Sequence, residues 1–322
     1  MSCRKSGCFL TSPAPCAIIK KNPLTEAVML VYPDYYHEFH CIAGACRHSC
    51  CIGWEIDIDE DSLARFRREK GPLGDKLRRV IAEDEDGAHF ILGEKERCPF
   101  LQADGLCEMI LARGEDVLCQ ICADHPRFRN FYADRTEIGL GLCCEAAAEM
   151  ILSRREPMTL VAEGAPDGQA DPEEEALLAL RARLMALAQD RSLPMVARLD
   201  RLLAMSGLAL PADWVGALLA LERLDESWTR LLEGVPAALP ASPAAWEIPL
   251  EQLLCYFLYR HLPGALEDGD VPGRMALCVF ATRCVRDAAL AAGLPLAEAA
   301  RMFSAEVEYS EENIGALLDA MA

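Results

Sequence analysis

The sequence lacks the long apolar segments by which membrane and exported proteins are recognised. Its 322 residues contain no run of 18 or more apolar residues, so no membrane-spanning helix is predicted. Its first residues also lack the apolar core of a secretory signal, because Lys20 and Lys21 follow the apolar-leaning stretch instead of preceding it. We therefore expect a cytoplasmic protein, in which closely spaced cysteines bind metal more often than they form disulfides.

Common enzyme motifs and positive charge are scarce as well. The sequence has no Gly-x4-Gly-Lys loop and no Gly-x-Ser-x-Gly elbow, and Gly139-Leu140-Gly141 lacks the rest of a dinucleotide fingerprint. Lys and Arg number 32 against 51 Asp and Glu, which gives a formal net charge of −19. This balance disfavours nucleic acid and anionic membrane as partners, since both require positive side chains. It suits a lysine-bearing partner, although an acidic surface also serves ordinary solubility.

The composition predicts a mainly α fold. Aromatic residues make up only 7% of a chain that is 52% hydrophobic, which is typical of helices packed through Ala and Leu. We predict a flexible N-terminal extension over residues 1–30 and a Cys-rich, metal- or cluster-binding domain with little β structure over 31–155. A linker over 156–172 and a helical bundle domain over 173–322 follow.

Local patterns predict several elements. Residues 54–59 alternate apolar and acidic side chains as a half-buried strand does, and residues 61–79 are typical of a charged helix. Asp171-Pro172, followed by three Glu, is a helix start, because Asp can cap the helix and Pro fits its first turn. Further helices are predicted over 249–262, 273–292 and 296–320.

The cysteines are the most informative feature of the chain. Ten of its 16 cysteines lie between Cys41 and Cys144, and spacings such as Cys46-x3-Cys50 and Cys119-x2-Cys122 place two thiols on one side of a turn. We predict the metal ligands Cys41, Cys46, Cys50, Cys51, Cys98, Cys107, Cys119, Cys122 and Cys144. Both an iron–sulfur cluster and zinc are compatible with this layout. The isolated Cys255, Cys278 and Cys284 are instead interpreted as small buried hydrophobic residues.

Longer motifs resemble one known family. These motifs are Tyr35–Cys46, Cys50–Asp59, Cys98-Pro99-Phe100-Leu101 with Cys107, Cys119-x2-Cys122-x3-Pro126-Arg127, and Gly139–Glu145. Together with Tyr256-Phe257, Arg260-His261, Asp268-Gly269-Asp270 with Arg274, and Glu306–Asn313, they resemble the flagellin lysine-N-methylases over residues 30–322.

The resemblance implies an enzyme that transfers methyl groups from S-adenosylmethionine to surface lysines of flagellin. It also implies an iron–sulfur cluster, expected to be of the 4Fe–4S type, that either anchors the donor or is structural. The alternative is a non-enzymatic cysteine-cluster protein that chelates zinc or iron, since the cysteine motifs alone also resemble such proteins.

Methyl transfer to lysine requires that the acceptor lose its proton, although the ordinary pKa of lysine is about 10.4. A carboxylate or phenolate could act as the base, and acidic or aromatic walls would suit the donor's sulfonium. The catalytic candidates are therefore Tyr36, Asp57, Glu308 and Glu311, with Tyr35, Trp54, Asp270 and Glu312 as further wall or base residues. Structural roles compete with these: Trp54 as core, Asp57 as the wet face of a strand, and Ser310-Glu311-Glu312 as a helix start.

Overall fold

The computed structural model describes residues 29–321, which divide into two compact units. One unit is His40–Arg127, and the other combines residues 29–39 with 128–321. The predicted N-terminal extension lies outside the described residues, except that Met29 and Leu30 begin a strand. The mainly α fold is confirmed, and within residues 29–321 the named strands form two small sheets.

The elements follow each other along the chain in a mixed order. The strands are β1 (Met29–Pro33), β2 (Asp57–Ile58), β3 (Ile81–Glu83), β4 (Ala88–Phe90), β5 (Arg127–Phe131), β6 (Arg135–Leu140) and β7 (Leu160–Glu163). The helices are α1 (Glu60–Arg68), α2 (Gly71–Val80), α3 (Glu108–Arg113), α4 (Gln120–Asp124), α5 (Glu145–Ser153), α6 (Pro172–Ala188), α7 (Met195–Ser206), α8 (Trp214–Leu219), α9 (Glu226–Glu233), α10 (Glu247–His261), α11 (Ala265–Asp268), α12 (Val271–Ala292), α13 (Leu296–Phe303) and α14 (Glu311–Asp319). A π-helical segment, Ser304–Glu308, follows α13.

The first unit, His40–Arg127, is built around an antiparallel sheet in the order β2-β4-β3. Its strand β2 covers only Asp57–Ile58 of the predicted strand over 54–59. The helix predicted over 61–79 is interrupted after Arg68, because Gly71 adopts a φ of +75° and starts a new helix with Pro72 in its first turn. Phe66, Phe90 and other buried apolar side chains fill the core of this unit.

The second unit contains a sheet in the order β5-β6-β1-β7. Strand β1 runs parallel to β6, with Val31 opposite Glu137, and antiparallel to β7, with Val31 opposite Ala162. The predicted domain boundary at residues 155 and 156 therefore falls inside this unit, and the predicted linker over 156–172 contains β7. Strand pairing explains this difference, because β1, β6 and β7 form one sheet.

Helices dominate the rest of the second unit. Helix α10 is buried on nearly every side, as expected of a helix at the centre of a bundle, and α12 packs against it. These helices confirm the predictions over 249–262 and 273–292, whereas the π-helical segment divides the helix predicted over 296–320. The start of α6 is confirmed, since Asp171 accepts hydrogen bonds from Glu173 N and Glu174 N. Across residues 29–321, each helix is too short or too polar to cross a bilayer.

Candidate functional site

Five cysteines share the core of the first unit, and we call them the thiol cluster: Cys51, Cys98, Cys107, Cys119 and Cys122. Cys98 and Cys119 are buried, and the other three are half-buried. Electrostatic interactions connect them: Cys122 interacts with Cys51, Cys98 and Cys119, and Cys107 interacts with Cys51 and Cys119. The fold thus brings together thiols from four separate stretches of the sequence.

Short backbone contacts place the first three of these thiols. Cys98 N donates to the carbonyl of Cys51 at 2.8 Å, which holds two distant segments side by side. Leu101 pairs with Cys107 in an isolated antiparallel bridge, and Gly105 supplies the turn between them with a φ of +81°. This turn brings Cys107 back beside the segment that begins at Cys98.

Asp59 fixes the helix that carries the remaining two thiols. Cys119 immediately precedes α4, and Cys122 lies on that helix. The carboxylate of Asp59 accepts from Gln120 N at 2.8 Å through one oxygen and from Ser62 N at 2.9 Å through the other. Burial opposes the charged form, but these N–H groups outweigh it and keep the pKa of Asp59 below its ordinary value. One carboxylate therefore joins the starts of α1 and α4.

The thiols of the thiol cluster differ in pKa because their surroundings differ. A hydrogen bond from Cys50 lowers the pKa of Cys51 to about 7, and a hydrogen bond from Cys122 lowers that of Cys119. Burial raises the pKa of Cys98 to about 11, although the backbone N–H groups of Phe100 and Leu101 act in the opposite direction. N–H groups directed at sulfur are typical of protein sites that stabilise thiolates.

The donor chemistry of this cluster fits a thiolate-bound centre. Soft sulfur ligands in a water-poor core suit zinc or an iron–sulfur cluster. Over the described part of the chain, no three His, Cys, Asp or Glu side chains are already arranged as ligands of one metal ion. The thiol cluster therefore fits such a centre in the type of its donor atoms and in their proximity.

The other predicted ligands lie outside the thiol cluster. Cys50 is exposed at its edge and interacts with Cys51, whereas Cys41 is exposed and Cys46 is half-buried. Cys144 belongs to the second unit, where it precedes α5. Its neighbour Cys143 is buried beside Tyr309. Two adjacent cysteines therefore do not have to be ligands of the same metal. Cys255, Cys278 and Cys284 are buried among apolar residues, as predicted.

Glu308 is the most deeply buried of the predicted catalytic residues. Its carboxylate accepts from Tyr256 Oη at 3.1 Å and from His261 Nε2 at 2.5 Å, and it pairs with Arg260 at 3.3 Å. Burial raises its pKa, but the charge of Arg260 together with the interactions of His261 and Ser304 outweighs burial and holds the pKa below its ordinary value. A carboxylate with these partners is a poor general base, so the prediction of a catalytic Glu308 gains no support from its geometry.

The remaining candidates occupy varied positions. Tyr36 is half-buried, with its ring 5.4 Å from that of Tyr32 and 5.1 Å from that of His37. Asp57 and Glu311 are exposed. Tyr35 is buried beneath the Arg154 guanidinium, 5.3 Å from its ring centre, and Trp54 is half-buried.

Three of the candidates lie at helix starts. Asp270 caps α12 by accepting from Gly273 N at 2.8 Å. Ser310 caps α14 by accepting from Asn313 N at 3.1 Å, so Glu311 and Glu312 lie in the first turn of that helix, as the structural alternative predicted.

Sequence reasoning missed Asp59 and Arg260 as site-forming residues. Asp59 ends an alternating segment directly before a helix, which is a capping signal that could have been recognised. Arg260 lies near the end of α10, a helix of mostly apolar residues, where a charged side chain implies a buried partner. That partner, Glu308, is distant in the sequence and had no local signal.

Comparison with known proteins yields three similar bacterial sequences. Two are named lysine-N-methylase, from Salmonella typhimurium and Salmonella choleraesuis, and each is 28% identical over 149 residues. These residues make up 42% of this chain, and the chain spans only 35% of either relative's length. The third, the flagellar biosynthetic protein FliU of Salmonella muenchen, is 27% identical over 147 residues, which cover 83% of FliU.

The other comparisons give no match. No family model matches the chain. No solved structure is detectably similar to it either. Over about two fifths of its length, the chain is thus similar to proteins named lysine-N-methylase, the name of the family that its motifs resemble.

Proposed function

We propose that the protein is a protein-lysine N-methyltransferase that uses S-adenosylmethionine as the methyl donor and flagellin as the acceptor. The observation that carries this proposal is the similarity to two proteins named lysine-N-methylase. The name of FliU adds a connection to flagellar assembly. The formal net charge of −19 supports it further, since an acidic surface attracts lysine-rich regions of a partner.

We propose that the thiol cluster holds an iron–sulfur cluster, with zinc as the alternative metal. Cys51, Cys98, Cys107, Cys119 and Cys122 would supply the thiolates, because they share one core and interact with one another. The bound centre would either anchor the donor's amino and carboxylate groups or stabilise the unit. Asp59 would hold the segment that carries Cys119, and the N–H groups directed at the sulfurs would stabilise the thiolates.

The acceptor lysine must reach a base near the protein surface. Tyr36, Asp57 and Glu311 are at least partly accessible, whereas Glu308 is buried and fully engaged. Among the predicted bases, the accessible three therefore fit this role better.

The test is a methylation assay with protein purified without oxygen. Incubation with flagellin and S-adenosylmethionine should add methyl mass increments to flagellin lysines, and omission of the donor should abolish them. A Cys98→Ser variant should lose activity together with bound metal. If metal-loaded protein neither methylates flagellin nor binds the donor, the methyltransferase proposal fails and the alternative of a metal-chelating protein is favoured.

A further inference from the structure

The first unit contains a polar cleft of about 480 Å³ beside the thiol cluster. It is lined by Asp59, Asp61, Ser62, Arg65, Arg68, Leu118 and Gln120. This volume lies within the range of small-molecule sites, about 300–1,000 Å³. The cleft belongs to a single unit, and helix α1 forms one of its walls.

Charges of opposite sign occupy the two ends of that wall. Asp59 and Asp61 lie at the start of α1, and Arg65 and Arg68 lie one to two turns further along. Arg68 follows Asp61 by seven positions, which corresponds to about 10 Å along the helix axis. A ligand that matches this wall carries a positive and a negative group separated along its length.

Asp61 and Arg68, at opposite ends of the wall, are available to a ligand. Arg68 uses Nε to donate to the carbonyl of Ala64 at 3.0 Å. Over residues 29–321, its terminal nitrogens and the carboxylate of Asp61 make no hydrogen bond or ion pair. Arg65 differs, since it donates to Ser62 Oγ at 2.7 Å and to the carbonyl of Leu118 at 2.9 Å and so shapes the cleft.

The floor of the cleft is continuous with the thiol cluster. Leu118 and Gln120 line the cleft, and the residue between them is Cys119. Asp59 also connects the two features, because it accepts from Gln120 N and interacts electrostatically with Cys119. A ligand in the cleft therefore lies next to the centre that the thiols would hold.

We propose that this cleft is the binding site for S-adenosylmethionine, an inference that rests on the proposed function. The donor's carboxylate pairs with Arg68 at the later end of the wall, so that of its two alternative roles the thiol-bound centre takes the structural one. Its sulfonium lies at the acidic end formed by Asp59 and Asp61, and Leu118 with Gln120 provides an apolar and a hydrogen-bonding surface for the nucleoside. The donor's sulfonium and carboxylate thus each meet a charge of opposite sign on the wall.

The helix dipole alone would also favour acids at the start of α1 and Arg at its end. The order of charges along α1 would therefore not identify a site without the cleft. The cleft, the unengaged Asp61 and Arg68, and the continuity of the cleft with Cys119 are separate observations that favour a ligand.

The test is isothermal titration calorimetry of the full-length protein, prepared without oxygen, with S-adenosylmethionine and with S-adenosylhomocysteine. Arg68→Gln should weaken binding of both by about tenfold, the effect of losing one charge-assisted hydrogen bond. Asp61→Asn should weaken binding of S-adenosylmethionine more than that of S-adenosylhomocysteine, because only the former carries the sulfonium charge.

Arg67→Gln is the matched control. Arg67 neighbours Arg68 on the same helix but pairs with Glu83 at 2.5 Å and does not line the cleft. Its replacement should leave both affinities unchanged, and the thermal unfolding of all three variants should resemble that of the wild type.

The outcomes separate the two proposals. If the wild type binds the donor and both Arg68→Gln and Asp61→Asn bind it equally well, the cleft is excluded while the proposed function stands. If metal-loaded wild type does not bind the donor, both proposals fail. Equal loss of affinity in Arg67→Gln and Arg68→Gln would also overturn the assignment, since it would indicate a general effect of charge.

Discussion

Arg181 on α6 and Glu137 on β6 form a two-pronged ion pair in which both side chains are buried. Arg181 Nη1 donates to Glu137 Oε2 at 2.7 Å, and Nη2 donates to Oε1. Tyr132 Oη also donates to Glu137, and the Arg181 guanidinium lies 5.0 Å from the centre of the Tyr259 ring. This pair joins the sheet of the second unit to its helices.

Loss of one member of this pair should be costly. Arg181→Met leaves the carboxylate of Glu137 buried without its partner, so we expect the free energy of unfolding to fall by about 3–5 kcal/mol. Urea denaturation measures this change. The double variant Arg181→Met/Glu137→Leu should be more stable than the single variant, because it leaves no unpaired charge. A single variant as stable as the wild type would contradict the role given to this pair.

The thiol cluster predicts which cysteines control metal content. Cys98→Ser and Cys119→Ser should each remove most of the bound iron or zinc, because each replaces a sulfur in the shared core. Cys278→Ser should retain the wild-type metal content, since Cys278 lies in the apolar core of the other unit. Iron, zinc and sulfide analysis, with the absorption spectrum of protein prepared without oxygen, measures these contents. Equal losses at all three positions would refute the division of the cysteines.

The stability of the second unit should depend on pH through His261. Burial lowers the pKa of His261, although Glu308 opposes that shift, and the charges of Arg260 and Arg274 favour the neutral ring. The unfolded chain, with an ordinary pKa of about 6.5, therefore binds a proton at a higher pH than the folded chain does. Stability from this group is present above about pH 6.5 and is lost as the pH falls below it.

His261→Gln isolates this effect, because Gln can still donate to Glu308 but does not titrate. Between pH 7 and pH 5.5, the free energy of unfolding of the variant should fall less than that of the wild type, by up to about 1.4 kcal/mol per pH unit. His125, whose pKa burial lowers to about 4, is present in both proteins and contributes equally. Parallel pH profiles would show that His261 does not titrate in this way.

Gly139 should be intolerant of a side chain for a packing reason. A Cβ atom at this position would lie 2.3 Å from Cζ of Phe128, and that ring is held 4.7 Å from the Arg260 guanidinium. Gly139→Ala should therefore cost about 1–3 kcal/mol of unfolding free energy. Gly315→Ala on α14 is the control, since its Cβ meets no atom within 4 Å. It should be neutral or add up to about 1 kcal/mol, because Ala favours helices more than Gly does.

Local chemistry made part of this structure predictable. The cap at Asp171 and the central helices α10 and α12 follow from capping residues and apolar runs that lie close together in the sequence. Each of these predictions required only residues within a few turns of each other.

The features that could not be predicted from the sequence depend on contacts between residues far apart in the chain. The placement of β1 beside β6 depends on residues on either side of the first unit, so the domain boundaries could not be derived from composition. Cys143 and Cys144 follow the pattern of the other close cysteines, yet they belong to another unit because β6 carries them there. Arg68 and Asp61 were interpreted only as part of a charged helix, since a cleft has no signature in sequence spacing.

The parallel pairing of β1 with β6 has a consequence for how the chain folds. Parallel neighbours need a long crossover connection, usually a helix, and here an entire compact unit provides it. If that insert has already collapsed when the strands meet, the flexible loop that their pairing must close is shorter. The entropic cost of closing a loop decreases as the loop becomes shorter. Assembly of the cysteine-bearing insert and completion of the sheet are therefore expected to be kinetically linked, with the insert first.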